Sequence, residues 1–259
     1  MVDVAGELRP QHDRLRHWLL RGLGRPHIEL RGDVAVTTSP VLDRPNTPRV
    51  WRLPGVYRPQ EDSFLLAKAL REAGGAQDAK VLDFCTGSGF LAITAARAGA
   101  DAVTALDISR RAVITARANA LSRRLPISVL RGSLDVAVEH GPFDVVLSNP
   151  PYVPVDGEGK DPRWDAGPDG RSVLDPLCDS LPTLLSPRGF ALLVHSEFTG
   201  VDETLERVRA AGLEGSVVAR ERIPFGPVLQ SRLSYLQEAE LARQGIDTEE
   251  VVVIRAGRF

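Results

Sequence analysis

The chain has 259 residues, 43% of them hydrophobic and 25% charged, a globular composition that suits one α/β domain with an appendage. A formal net charge of -2 argues against a protein that coats nucleic acid, because no strongly basic field exists to displace phosphate counterions. Cys85 and Cys178 lack metal spacing and read as reduced thiols; with no membrane-length apolar run and no N-terminal signal core, a cytoplasmic protein is expected.

Residues 1–56 differ in character from the rest of the chain, with nine arginines against six acidic residues. Asp13 to Leu23 reads as a short amphipathic helix, and the segments around Arg31-Gly32-Asp33 as a hairpin. Pro40, Pro45, Pro48 and Pro54 come next. This part is expected to be a basic extension, either a solvated cap packed on the main domain or a lid or partner-docking arm, ahead of a main domain at 57–259.

From Tyr57 the pattern becomes regular. Helices are expected over 62–73, 88–98, 109–122, 173–185, 201–211 and 228–243. Strands are expected over 80–84, 102–106, 127–130, 143–148, 190–194, 216–222 and 250–255. The alternation predicts an α/β fold: a doubly wound, seven-stranded, mostly parallel sheet. Such sheets bind ligands beyond the carboxyl ends of their strands. One rim then collects Asp83-Phe84-Cys85, Asp107-Ile108, Arg131-Gly132-Ser133 and Asn149-Pro150-Pro151-Tyr152.

Three of these ends carry chemistry. Asp83 to Gly89 is a turn opening a helix, where Gly87 and Gly89 permit unusual backbone angles and close ligand approach. Cys85 and Phe90 stand where a dinucleotide loop would have its first and third glycines, so the pattern is not a full G-x-G-x-x-G. Asp107 suits the two hydroxyls of a ribose, and equally an N-terminal helix charge before Ser109. Asn149-Pro150-Pro151-Tyr152 must end its strand, since two prolines can neither continue a helix nor donate to a ladder. An amide before that stiff corner and a ring after it suit a flat polar group.

Together these stretches resemble the class I S-adenosylmethionine (SAM)-dependent methyltransferases, and most of all the HemK-type protein glutamine methyltransferases, which modify the Gly-Gly-Gln glutamine of peptide-chain release factors. Gly55-Val56-Tyr57-Arg58-Pro59-Gln60-Glu61-Asp62-Ser63 and Ala166-Gly167-Pro168-Asp169-Gly170-Arg171 carry the same likeness. The resemblance covers 55 to about 223 and leaves 1–54 and 224–249 without counterparts. It implies that Tyr57, Pro59, Glu61 and Asp62 fold over the cofactor SAM. It assigns Asp83, Thr86, Gly87 and Gly89 to the SAM loop, and Asp107 and Ile108 to the ribose end. Ser133 stands where the family has an acid, and Asn149 serves both cofactor and acceptor.

Catalysis would rest on Asn149, Pro150 and Tyr152. An amide nitrogen is a poor nucleophile because its lone pair is delocalised. The Asn149 oxygen can accept one N–H, the Pro150 carbonyl is a candidate for the other, and the Tyr152 ring can hold the planar group. No metal is required. Asn119 is a candidate for the adenine region or for an exposed helix face, and Trp164 for the substrate mouth or a loop anchor. The expected partner is a release factor. Other readings are a nucleic-acid base methyltransferase, a small-molecule or peptide tailoring enzyme, and a SAM-binding protein without turnover.

Overall fold

The computed structural model describes residues 47–157, 159 and 161–258, so the helix and hairpin expected over 13–37 lie outside the described residues. The described residues all belong to one compact unit, Val36–Phe259. Seven strands form one sheet: β1 (Lys80–Phe84), β2 (Ala102–Asp107), β3 (Ile127–Arg131), β4 (Phe143–Ser148), β5 (Leu185–Ser196), β6 (Glu214–Pro224) and β7 (Thr248–Gly257). Their spatial order is β3-β2-β1-β4-β5-β7-β6. β1 to β5 pair in parallel, and β7 runs antiparallel between β5 and β6.

The helices are α1 (Glu61–Glu72), α2 (Phe90–Arg97), α3 (Arg110–Leu121), α4 (Leu134–His140), α5 (Leu174–Leu184), α6 (Val201–Ala210) and α7 (Pro227–Glu238). One face of the sheet buries Leu65, Leu66 and Leu70 of α1 with Phe90 and Leu91 of α2. The other buries Leu174, Leu177, Leu181 and Leu184 of α5. Because both faces are covered, the central strands read as continuous apolar runs rather than alternating ones. Fully burying each of these leucines contributes about 1.5–3 kcal/mol.

The fold class matches the expectation. α4 was not expected: it has seven residues, and only Ala137 is fully buried, so it leaves no helical period to read. α7 starts at Pro227, a residue suited to the first helical turn, and stops at Glu238 rather than 243. The 224–249 segment acquires its own apolar cluster, in which Phe225, Leu229, Leu236 and Ala242 pack with Val153 and Phe198.

Candidate active site

The chain leaves β1 towards β2 on one side, and β4 lies on the other, so a crevice opens between their carboxyl ends. A cavity of about 710 Å³ occupies this place. Its lining includes Tyr57, Asp62, Gly87, Asp107, Ile108, Ser133, Asn149, Pro150 and Tyr152. The rim expected from the strand ends is therefore one continuous wall. Pro59, Glu61, Asp83, Thr86 and Gly89 are not among the lining residues.

Three of those five build the loop from behind. Asp83 is fully buried at the end of β1, where its Oδ2 accepts Thr86 Oγ1 at 2.5 Å and the Ala92 amide at 2.9 Å. Burial pushes its carboxyl up to about 7, and Oδ1 has no hydrogen-bond partner. Gly89 has φ +80°, and a Cβ there would lie 3.2 Å from Ala116 Cβ, so a glycine lets the loop approach α3. Cys85 sits at φ +63°, in the left-handed region that glycine adopts without cost. This explains why its position is one where a glycine is usual. Burial raises the Cys85 thiol well above its ordinary range, which suits packing rather than thiolate chemistry.

Asp107 ties the loop to β2. Its two oxygens accept the amides of Gly87 (2.9 Å) and Ser109 (2.8 Å). Burial raises its carboxyl, and these two bonds partly counter that. Each carboxylate oxygen has more than one lone pair, so hydroxyl donors from the cavity remain acceptable. Asp107 thus stands at the start of α3, as the helix-charge reading has it, and also lines the cavity in which the ribose reading would place its hydroxyls.

A second hydrogen-bonded cluster sits on the Asp62 carboxylate. Tyr57 donates its hydroxyl to Asp62 Oδ2 at 2.5 Å, and Tyr152 donates to the same oxygen at 3.1 Å. The Ser63 amide donates to Oδ1 at 2.5 Å. Asp62 is only 3% exposed, so these donors replace its lost hydration. Burial, then the Asp62 charge, raises both phenols well above their ordinary range and keeps them donors. The Ser63 hydroxyl in turn accepts Asn149 Nδ2 at 3.1 Å. That bond commits the amide end of Asn149 to α1 and leaves its oxygen for another donor.

The corner itself is held by Thr199, which has no sequence signal of its own, and by Gly170 of the G-P-D-G turn. Thr199 donates to the Tyr152 carbonyl at 2.9 Å. Gly170, at φ +74°, lies against the same carbonyl so closely that a Cβ would strike it. The G-P-D-G turn is thus bare where Tyr152 needs room. Trp164 lines the cavity and meets the Tyr57 ring edge-on at 4.8 Å, a place compatible with either sequence reading of it, substrate mouth or loop anchor. Asn119 does neither of the things expected of it. It is fully buried, donates to the carbonyls of Trp51 and Ser88, and accepts the Trp51 amide. Ser63 lies within the 55–63 motif, in the first turn of α1, and sequence reasoning gave it no role, because nothing in the sequence marks its partner 86 residues away.

The donor set fits SAM. Gly87 and Asp107 offer a side-chain-free approach beside a carboxylate, Leu106, Ile108 and Leu134 an apolar bed, and Ser133 a hydroxyl.

The family model described as the methyltransferase small domain matches residues 48–211. A Methanocaldococcus jannaschii protein, provisionally named a protein N5-glutamine methyltransferase, is 35% identical over 177 residues, covering 66% of this chain and 88% of its own. The release factor glutamine methyltransferase of Deinococcus radiodurans is 38% identical, covering 62% and 61% respectively. Human methyltransferase HEMK2 is 35% identical, covering 62% and 81%. Among solved structures, E. cuniculi Mtq2 in its complex with Trm112 superposes with a TM-score of 0.57 at 24% identity, over 79% of this chain and 99% of its own. A Thermus thermophilus 16S rRNA methyltransferase complexed with AdoMet and guanosine gives 0.56 at 21% identity, over 81% and 47%, a likeness of fold.

Proposed function

This chain belongs to the methyltransferase small domain family, as a HemK-type class I SAM-dependent methyltransferase, and from that premise we propose that its acceptor is a protein glutamine side chain. The observation that carries the reading is the Ser63–Asn149 bond, which leaves Asn149 Oδ1 to accept an N–H from a planar amide. The residues 1–56 are read as an extension of a catalytic domain at 57–259.

When bound, SAM supplies a methyl group made electrophilic by its sulfonium. Tyr57, Asp62, Asp107, Ile108, Gly87, Ser133 and Asn149 would hold it, with Asp83, Thr86 and Gly89 shaping the loop and Pro59 and Glu61 leading into α1. Accepting an N–H at Asn149 Oδ1 raises electron density on the acceptor nitrogen as positive charge develops there. The Pro150 carbonyl is the second acceptor in this reading. Tyr152, anchored through its hydroxyl and its own carbonyl, presents its ring to the amide plane and fixes its approach.

A release factor is the partner this favours, since relatives carry that name and the Mtq2 complex is described as acting on the eRF1 termination factor. A cytoplasmic setting is part of the reading. Its support is the free thiols of Cys85 and Cys178, and that no described helix is long and apolar enough to cross a membrane. A second reading, methylation of a nucleic-acid exocyclic amine, draws on Arg110, Arg111 and Arg131 among the cavity residues.

Incubation with labelled SAM and separate release-factor, nucleic-acid and small-molecule pools decides between them. The expected result is label in the release factor, mapped by mass spectrometry to the Gly-Gly-Gln glutamine. Label confined to the nucleic-acid pool would reject the reading.

A further inference from the structure

We propose that the segment between β6 and β7 sets acceptor affinity, with Arg232 of α7 as its positioning residue; this rests on the acceptor lying at the Asn149–Tyr152 corner. The segment 225–247 is an arm with its own apolar cluster, and that cluster reaches the site. Phe225, Leu229 and Leu236 pack with Val153, and Tyr152 and Trp164 lie against the same group.

Two polar ties join α7 to the loop that forms the cavity wall. Arg232 Nη2 lies 3.1 Å from Asp165 Oδ1 and 3.3 Å from Oδ2. The Asp165 side chain is 2% exposed, so this ion pair is screened little by solvent. Tyr235 donates to the Pro168 carbonyl at 3.0 Å. Asp165 follows Trp164 directly, and its Oδ2 also accepts the Asp161 amide at 2.9 Å, closing the turn that carries Arg163 and Trp164.

From Trp164 the connection is continuous. Its carbonyl accepts the Val153 amide at 2.8 Å, and its ring meets Tyr57, whose hydroxyl rests on Asp62 with that of Tyr152. The arm therefore holds the loop from behind while the loop's front faces the cavity. The Asp107 end of the cofactor site is tied elsewhere: Gly87 and Ser109 bond to Asp107, with no α7 residue between them. Arg232 should then move acceptor binding more than SAM binding, which Tyr57 and Asp62 share with Gly87, Asp107, Ile108 and Ser133.

The test is steady-state kinetics with a purified release factor, together with calorimetry of SAM binding. Arg232→Met should raise the acceptor KM about tenfold while the SAM Kd stays within about twofold. Arg232→Lys, which keeps a charge opposite Asp165, should recover most of the loss. An unchanged acceptor KM, or KM and SAM Kd rising together, would overturn the proposal. Amide hydrogen exchange supplies a readout that needs no acceptor. Arg232→Met should speed exchange at Val153 and Ala166, which pair Val153 with the 164–166 turn, and not at Gly87. Unchanged exchange at Val153 and Ala166 would overturn it whatever the acceptor proves to be. Failure of the wild-type enzyme to label the release factor would instead fall on the acceptor reading.

Discussion

Replacing Asp62 with asparagine keeps its shape and removes its charge. The carboxylate now receives three donors, the hydroxyls of Tyr57 and Tyr152 and the Ser63 amide, at 2.5, 3.1 and 2.5 Å. Asparagine has one oxygen to offer. If that oxygen faces the tyrosines, its NH2 confronts the Ser63 amide; if it faces Ser63, the tyrosines lose their shared acceptor. A hydrogen bond to a charged group contributes about 1.5–3 kcal/mol, and one such bond is lost while the others weaken, so the cost is about 2–4 kcal/mol. For a unit of this size each kcal/mol lowers Tm by about 2–4 °C, which gives a fall of about 10 °C. Turnover should fall about tenfold or more, because Tyr152 loses the anchor that orients its ring. Differential scanning fluorimetry and a labelled-methyl assay read both quantities. Asp62→Asn with a Tm within about 2 °C of wild type and full turnover would refute the account of this cluster.

Asp107→Ala removes a carboxylate from the cavity and the anchors of Gly87 and Ser109, so SAM Kd should rise about tenfold to a hundredfold by calorimetry; unchanged affinity removes its ribose assignment. Gly89→Ala meets both a left-handed φ and Ala116 at 3.2 Å, and should cost about 1–3 kcal/mol in urea unfolding. Burial raises Asp83 from 3.8 and Glu249 from 4.5, each to about 7, so the folded chain binds more protons than the unfolded one between those values. Their contribution should therefore decline as pH rises from about 4 to 7 and level off above it. Asp83→Asn should flatten this decline in urea midpoints taken across that window, and an unaltered slope would contradict the assignment.

The sheet was legible because parallel central strands are buried on both faces and leave apolar runs such as Val81-Leu82 and Val145-Val146-Leu147. Their ends located the rim without any contact being known. What the sequence hid was long-range pairing. Asn119 on an Ala-rich helix looks like surface, yet its partners are carbonyls at Trp51 and Ser88. Ser63 and Thr199 act on Asn149 and Tyr152 across 86 and 47 residues, and a hydroxyl in a helix or short turn carries no mark of that. Cys85 was visible as a departure from glycine, but only its φ shows that the loop keeps the glycine-like shape. α4 escaped because a seven-residue helix with one buried alanine has no period.

The central claim is that Asn149 acts chiefly on the acceptor nitrogen, its contact with the cofactor being one among several. Asn149→Ala should bind SAM with near-wild-type affinity in calorimetry and transfer methyl at least about a hundredfold more slowly in single-turnover assays. A variant that binds SAM and methylates at the wild-type rate would contradict the mechanism.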